Sequence, residues 1–481
     1  EFIALFPVYR TYVDDWRPEL DARDVQYIQW TIARAKQRNA TTNASIFEFL
    51  EDILLRRYPE HLREEERSEM LTFAMKLQQV TGPVMAKGLE DTVFYNYNRL
   101  VAFNEVGGEP ERFGTRITTF HLRNQERAES WPASMLTSST HDTKRSEDVR
   151  ARLFVLSEVP EEWRRRVRRW SRLTAKFQTR LPGGPAPDAN DEYLFFQTVV
   201  GAWPMGESLS PEGLADFRHR MRDYLLKAIK EAKARTSWTN PDSAYEEAVR
   251  RYVESCLDAR ESRVFLEDVR TFKRRIERAG QLNALSQLLL KLASPGVVDT
   301  YQGSELWDLS LVDPDNRRPV DYALRERLLE ALDREAAEDR LGLCTRLVTE
   351  LDDGRAKLFL LAEGLRLRKR QAALFRHGGY RALDLLGPRA DAAVAFAREH
   401  EEVVLIALAP RYTLEALESP GGLVQAYEQT SLELPESYAS MTFRNVLTGQ
   451  EVRPGRQEDG VRLPLSPLLA GFPMILLERS A

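Results

Sequence analysis

The sequence predicts an α/β fold in which short buried strands alternate with long helical stretches, followed by an all-β terminal region. Three observations predict it. Short apolar segments at 2–10 (FIALFPVYR), 132–140 (PASMLTSST) and 296–301 (GVVDTY) stand far apart in the chain. Between them, apolar residues recur at three- and four-residue spacing in strongly charged surroundings, the signature of surface helices. Strands separated by that much helix pair in parallel through crossovers. Beyond Arg370 the pattern changes to apolar runs broken by turn signals. Three strands do not close a barrel, but they match the last three of eight in a (β/α)8 barrel.

Each element has a local reason. Segment 2–10 is apolar and aromatic and reads as a buried strand, with Pro7 favouring its margin. Helix is expected over 21–38, where Val25, Ile28, Ile32 and Ala35 share a face, and again over 44–58 and 64–80. Gly82-Pro83 closes that run. Segment 132–140 reads as a strand whose C-terminal end delivers His141 and Asp142. Residues 146–292 read as helical, interrupted by loops at 181–190 (LPGGPAPDAN) and 236–242. Strands are expected at 403–409, 441–447 and 472–477, separated by turns such as Pro420-Gly421-Gly422 and Leu447-Thr448-Gly449. The expected divisions are 1–145, strands six and seven with a helical insertion, and 146–292, an inserted helical domain. The eighth strand and its helices occupy 293–380, and an antiparallel β-sandwich 381–481.

Composition narrows the function. Lys and Arg total 69 against 74 Asp and Glu, a net charge of −5, which is not the balance of a nucleic-acid-binding chain. The basic run at 164–172 reads as a solvated helix face, since Val167 and Trp170 recur at helical spacing. Two cysteines, Cys256 and Cys344, exclude a disulfide scaffold and point to a reducing, cytoplasmic setting. No apolar run approaches the ~18 residues of a spanning helix. Phosphate-loop, dinucleotide, nucleophile-elbow and zinc motifs are absent from the sequence, and the Asp313, Asp315, Asn316 spacing lacks the glycine and distal glutamate of a calcium loop.

The sharpest chemical feature is Thr137-Ser-Ser-Thr-His141-Asp142-Thr-Lys144-Arg145-Ser-Glu147-Asp148. A carboxylate at a barrel strand end accepts hydrogen bonds from adjacent sugar hydroxyls, and those bonds strengthen as the ring flattens toward an oxocarbenium ion. The competing account is a helix cap by Asp142 or Thr143. Lys87, Glu90, Asp91 and Tyr95 offer hydroxyl partners and an aromatic face, against an account in which Phe94 and Tyr97 are simply core. Tyr9, Arg10 and Tyr12 stand at the first strand end, and Tyr301, Gln302 and Glu305 at the third. Segment 313–321 is otherwise a surface loop with Asp–Arg pairs.

Four stretches together, FPVYRTY (6–12), GPVMAKGLEDTVFYNYNRL with NEVGG (82–108), SSTHDTKRSEDVRAR (138–152) and SPGVVDTYQGSELWDLSLVDPDNRRPVDY (294–322), resemble the maltooligosyltrehalose synthases. TSWTNP (236–241) and GFPMILLER (471–479) also fit. That family belongs to the α-amylase superfamily of (β/α)8-barrel enzymes. The resemblance implies intramolecular transglucosylation, converting the reducing-end α-1,4 linkage of a maltooligosaccharide to α,α-1,1. It implies a functional partnership with maltooligosyltrehalose trehalohydrolase and a scheme that requires no metal or organic cofactor. It makes Asp142 the transition-state stabiliser and His141 its neighbour on the sugar hydroxyls. Lys144 and Arg145 become substrate contacts with the sixth- and eighth-strand residues, and Lys87, Glu90, Asp91 and Tyr95 become the pocket for the released glucose. The nucleophile Asp and acid/base Glu of the superfamily stand on strands four and five, and no Arg-x-Asp-His string occurs here. The chain alone is therefore expected not to isomerise. A hydrolysing relative and a non-catalytic glucan-binding module remain the alternatives.

Overall fold

The computed structural model describes residues 1–17, 19–206 and 209–480. The chain divides into two compact units, one of residues 1–97 with 229–240, the other of 98–228 with 241–481. The three boundaries expected between divisions, after residues 145, 292 and 380, all fall inside the second unit.

The first unit is helical. Ala22–Arg38 is capped by Asp21, which accepts from the Arg23 N–H, and Ala44–Leu54 by Asn43, which accepts from Ser45. Ile28, Ile32 and Ala35 from the first of these helices join Phe47, Ile53 and Leu54 from the second in one core. The expected strand at 2–10 is not one. Phe2–Leu5 forms a helical turn, and the i, i+4 pair Phe2 and Phe6 enters the same core with ring centroids 5.2 Å apart. A helical turn buries both rings on one side, which an isolated extended segment does not. Gly82-Pro83 does not end the third helix either, which runs Glu64–Met85. Pro83 removes a single N–H, and Ala86 continues the ladder by donating to the Gly82 and Pro83 carbonyls before a wider turn, Ala86–Glu90.

In the second unit the expected strands at 132–140 and 296–301 shrink to Met135–Leu136 and Val297–Val298, paired in parallel with Leu136 opposite Val298. Gly296 has φ +127°, and a β-carbon there would lie 2.7 Å from Leu136 Cγ, so the approach of the two strands requires glycine. The expected helical stretch is present as Glu147–Phe154, Pro160–Thr174, Ala189–Ala202, Ser243–Cys256 and Arg263–Ala293. Overlapping the expected loop at 181–190, a small hairpin pairs Thr179–Leu181 with Gly184–Ala186. Arg263–Ala293 crosses Glu147–Phe154 closely. A β-carbon on Gly280 would meet Arg152 Cα at 2.8 Å.

The terminal region is antiparallel. A six-stranded sheet has the order Glu451–Val452, Phe443–Asn445, Ile475–Arg479, Val403–Pro410, Ala393–His400, Gly379–Leu383. A four-stranded sheet has the order Gly455–Gln457, Gly460–Pro464, Ser431–Leu434, Leu385–Leu386. Val403–Pro410 alternates between two cores, as the two-residue period of a strand requires. Val404, Ile406 and Leu408 join Leu432, Leu434, Val461 and Leu463 of the smaller sheet. Leu405, Ala407 and Ala409 join Leu285, Leu289 and Phe359 of the neighbouring helices. The chain is thus a mixed helix-and-sheet fold.

Candidate active site

The parallel strands end together. Thr137 Oγ1 donates to the Ser139 carbonyl at 2.8 Å and to Asp299 Oδ2 at 3.3 Å, tying one strand end to the other. The chain then turns outward. Thr143 Oγ1 donates to the Thr140 carbonyl at 2.7 Å, and Thr140 Oγ1 accepts the Asp142 N–H at 3.2 Å. Past that turn the His141 and Asp142 side chains stand in solvent, 58% and 73% exposed, with Nε2 3.6 Å from Oδ2. Neither Asp142 nor Thr143 caps the helix, which begins at Glu147 with Ser146 as its N-cap. From the other strand's loop, Asn316 Nδ2 donates to the His141 carbonyl at 2.8 Å, and Tyr301 OH donates to the Asn316 carbonyl at 3.2 Å.

Directly beneath lies a buried ionic network. Lys357, fully buried, places Nζ 2.7 Å from Glu147 Oε1 and 2.8 Å from Asp148 Oδ2. Lys291 Nζ donates to Ser138 Oγ at 2.8 Å and to the Asp299 carbonyl at 3.1 Å, and lies 3.6 Å from Glu147 Oε2. Ser138 in turn donates to Glu147. Asp148 Oδ2 accepts the Asp308 N–H at 2.7 Å. Two lysines and two carboxylates therefore fasten both strand ends to the first turn of one helix and to two others. Burial opposes ionisation of Glu147, but the charges of Lys357 and Lys291 outweigh it and hold the carboxyl at about 2. Burial dominates at Asp148, and with the neighbouring Glu147 charge it pushes that carboxyl up to about 6 against the pull of Lys357. Burial pulls Lys357 down, yet Asp148 and Glu147 more than compensate and keep it protonated.

Lys144 and Arg145, expected as substrate contacts, are not on this surface. Both are buried, Arg145 to 1% exposure. Arg145 Nη2 donates to Tyr224 OH at 2.6 Å, and its guanidinium lies over that ring at 5.8 Å. Glu105 accepts the Lys144 and Arg145 backbone N–H groups at 2.8 and 3.2 Å. The Lys144-Arg145 pair anchors the turn from below. Glu305 is engaged as well, taking Arg325 Nε at 2.8 Å and the Gly303 N–H at 3.1 Å, whereas Gln302 is exposed. Asp313 and Asp315 form the expected local pairs with Arg317 and Arg318.

In the first unit, Tyr9 OH donates to Glu90, joining two of the expected residues. Lys87 Nζ meets Asp91 Oδ2 at 2.5 Å. Arg10 lies over the Tyr12 ring at 4.7 Å. Tyr95 differs from expectation. It is 1% exposed, packed inward beside Phe94 because the 3-10 turn Val93–Tyr95 directs both rings to the interior.

Sequence reasoning missed Glu105, Lys291, Lys357 and Asn316. Lys357 carried a signal: a lone cation on the apolar face of the Arg355–Arg370 helix (RAKLFLLAEG) belongs in the interior only with a carboxylate partner. Glu105 and Asn316 sit in turns and carry no periodic signal.

No family model matches the chain. A Mycobacterium tuberculosis protein assigned as maltooligosyl trehalose synthase is 39% identical over 407 residues, 84% of this chain and 45% of its own length. Maltooligosyltrehalose synthase from Arthrobacter ramosus superposes with a TM-score of 0.75 at 32% identity, covering 100% of this chain and 53% of that one. The chain is a relative of the maltooligosyltrehalose synthases. A Sulfolobus tokodaii structure titled as a hypothetical maltooligosyl trehalose synthase superposes at 0.67 with 26% identity, over 99% of this chain and 52% of that one. The chain spans about half the length of the curated synthases it matches.

Proposed function

We propose that this chain contributes the transition-state-stabilising part of a maltooligosyltrehalose synthase site. Its reaction converts the reducing-end α-1,4 linkage of a maltooligosaccharide to α,α-1,1 by intramolecular transglucosylation with retention. The observation that carries the proposal is the pair His141–Asp142, exposed at the end of a parallel strand pair and anchored by buried charge. Asp142 accepts hydrogen bonds from two adjacent hydroxyls of the reacting glucose, and those bonds strengthen as positive charge develops on the ring. His141 donates to the same hydroxyls. A carboxylate nucleophile and a carboxylic acid/base complete such a mechanism, and neither is assigned to a residue of this chain. Tyr301 and Gln302 flank the donor ring.

The strand pair is read as belonging to a (β/α)8 barrel of the α-amylase type and the two terminal sheets as a β-sandwich. Among the described residues no helix is long and apolar enough to cross a membrane. A cytoplasmic setting and a partnership with a trehalohydrolase follow from the same reading. The test is a product assay with maltopentaose. A non-reducing product from a protein that contains this chain and the two further carboxylates supports the synthase, whereas free glucose or maltose marks a hydrolase. Trehalose-type product from the 481-residue chain alone would refute the division of labour.

A further inference from the structure

The first unit carries a further feature suited to sugar, which adds new residues to Arg10 and Tyr12. A notch of about 180 Å³ lies between segment 10–16 and the Glu64–Met85 helix, with Arg10, Tyr12, Asp14, Trp16, Met75 and Gln79 in its lining. It is smaller than the ~300–1,000 Å³ of drug-sized ligand sites, and so matches one ring rather than a nucleotide. Its walls are aromatic and open: Tyr12 is 60% exposed and Trp16 81%. The segment is nevertheless fixed. Gln78, buried in the helix, accepts the Val13 N–H at 2.7 Å and donates to the Val13 carbonyl at 2.8 Å. Asp14 Oδ1 accepts the Trp16 and Arg17 N–H groups at 3.1 and 3.0 Å, closing a turn that holds the indole outward. The Tyr12 N–H donates to Asp24 Oδ2 at 2.7 Å.

The polar groups at the rim are of the kind that pyranose hydroxyls use. The Gln79 amide makes no side-chain hydrogen bond among the described residues and offers both a donor and an acceptor. The Arg10 guanidinium, stacked on Tyr12 at 4.7 Å, keeps N–H donors at the edge. Asp14 Oδ2 lies 3.8 Å from Arg17 Nε, a contact loose enough to admit a hydroxyl. Fixed aromatic faces beside an amide, a guanidinium and a carboxylate suit a neutral pyranose, whose C–H face stacks on a ring while its hydroxyls bond at the periphery. We infer that Trp16 and Gln79 extend the expected contacts of Tyr12 into a glucan-binding subsite, in which one glucose unit packs on Trp16 and Tyr12 and bonds to Gln79. The choice of glucan rests on the proposed synthase reading. The notch itself does not depend on Asp142.

The test is isothermal titration of the 481-residue chain with maltoheptaose. Wild type is compared with Trp16→Ala, Gln79→Ala and Asp142→Asn, the fold of each being checked by circular dichroism. Trp16→Ala is expected to weaken binding at least tenfold and Gln79→Ala three- to tenfold, with Asp142→Asn retaining at least part of the binding. Wild-type affinity in Trp16→Ala overturns the subsite, as does the absence of binding by the wild-type chain. Either result leaves the synthase reading standing or falling on the product assay alone. If folding of Trp16→Ala is impaired, Trp16→Phe should bind within threefold of wild type, and a larger loss in that folded variant counts against stacking.

Discussion

Replacing Lys357 by methionine tests how the strand-end surface is held. Methionine keeps the unbranched stem and removes only the charge. The ammonium bridges Glu147 at 2.7 Å and Asp148 at 2.8 Å in a fully buried setting. Removing one partner of a buried pair costs about 3–5 kcal/mol, because a desolvated charge is left behind. Here the lower part of that range applies, about 3–4 kcal/mol. Glu147 keeps Lys291 at 3.6 Å, and Asp148 keeps the Asp308 N–H at 2.7 Å. Urea unfolding followed by tryptophan fluorescence reads the loss as a midpoint lowered by about 1–2 M, taking m as about 2–3 kcal/mol/M. Two controls separate electrostatics from packing. Lys357→Met/Asp148→Asn should recover at least half of the loss, since the stranded carboxylate is gone. Acidification to pH 4 should narrow the gap between variant and wild type, because both carboxyls can then fold neutral. A loss below 1 kcal/mol, or a double variant as unstable as the single one, refutes the argument.

Three further outcomes follow. Asp142→Asn should leave stability within about 0.5 kcal/mol, because the side chain is 73% exposed, while abolishing product formation in the maltopentaose assay proposed above; a thermal melt and that assay check the two halves. Glu105→Gln replaces one of the two accepting oxygens by an NH2 donor, so either the Lys144 or the Arg145 N–H loses its acceptor, and should cost about 2 kcal/mol, read by urea unfolding. Asp148 has its carboxyl raised from 3.8 to about 6 in the fold, so its contribution is complete below pH 3.8 and is lost as pH rises through about 6. Relative to Asp148→Asn, the wild type should lose about 3 kcal/mol between pH 4 and 7, from about two pKa units at 1.36 kcal/mol each. A flat difference across that range contradicts the assignment.

Periodicity was a sound guide wherever an element buries one face. Ile28, Ile32 and Ala35 announce their helix, and the run 403–409 announces a strand that turns out to be sandwiched between two cores. It failed at 2–10, where an apolar segment of that length fits a strand or a helical turn equally well and Phe2 with Phe6 decided for the turn. It failed again at Pro83, because loss of one N–H does not stop a helix that packing sustains. At the candidate site, His141-Asp142 stands out in the sequence as a compact polar string following a short strand. What supports it was not. Lys291, Lys357 and Asn316 lie 149, 215 and 174 positions beyond Asp142 (291−142, 357−142 and 316−142) and meet the strand ends only through the fold. Lys144 and Arg145 misled for a related reason, since adjacency in sequence does not reveal which side chains face inward after a turn.

The crossing at Gly280 couples two stretches of the gene that are otherwise far apart. With Arg152 Cα where a methyl group would have to sit, and Arg152 Nη2 3.5 Å from Glu277 one turn earlier, there is no slack between the two helices. Neither can drift alone. In an alignment of homologues, positions 152, 277 and 280 should change as a set, so a substitution harmless in one background should be lethal to folding in another.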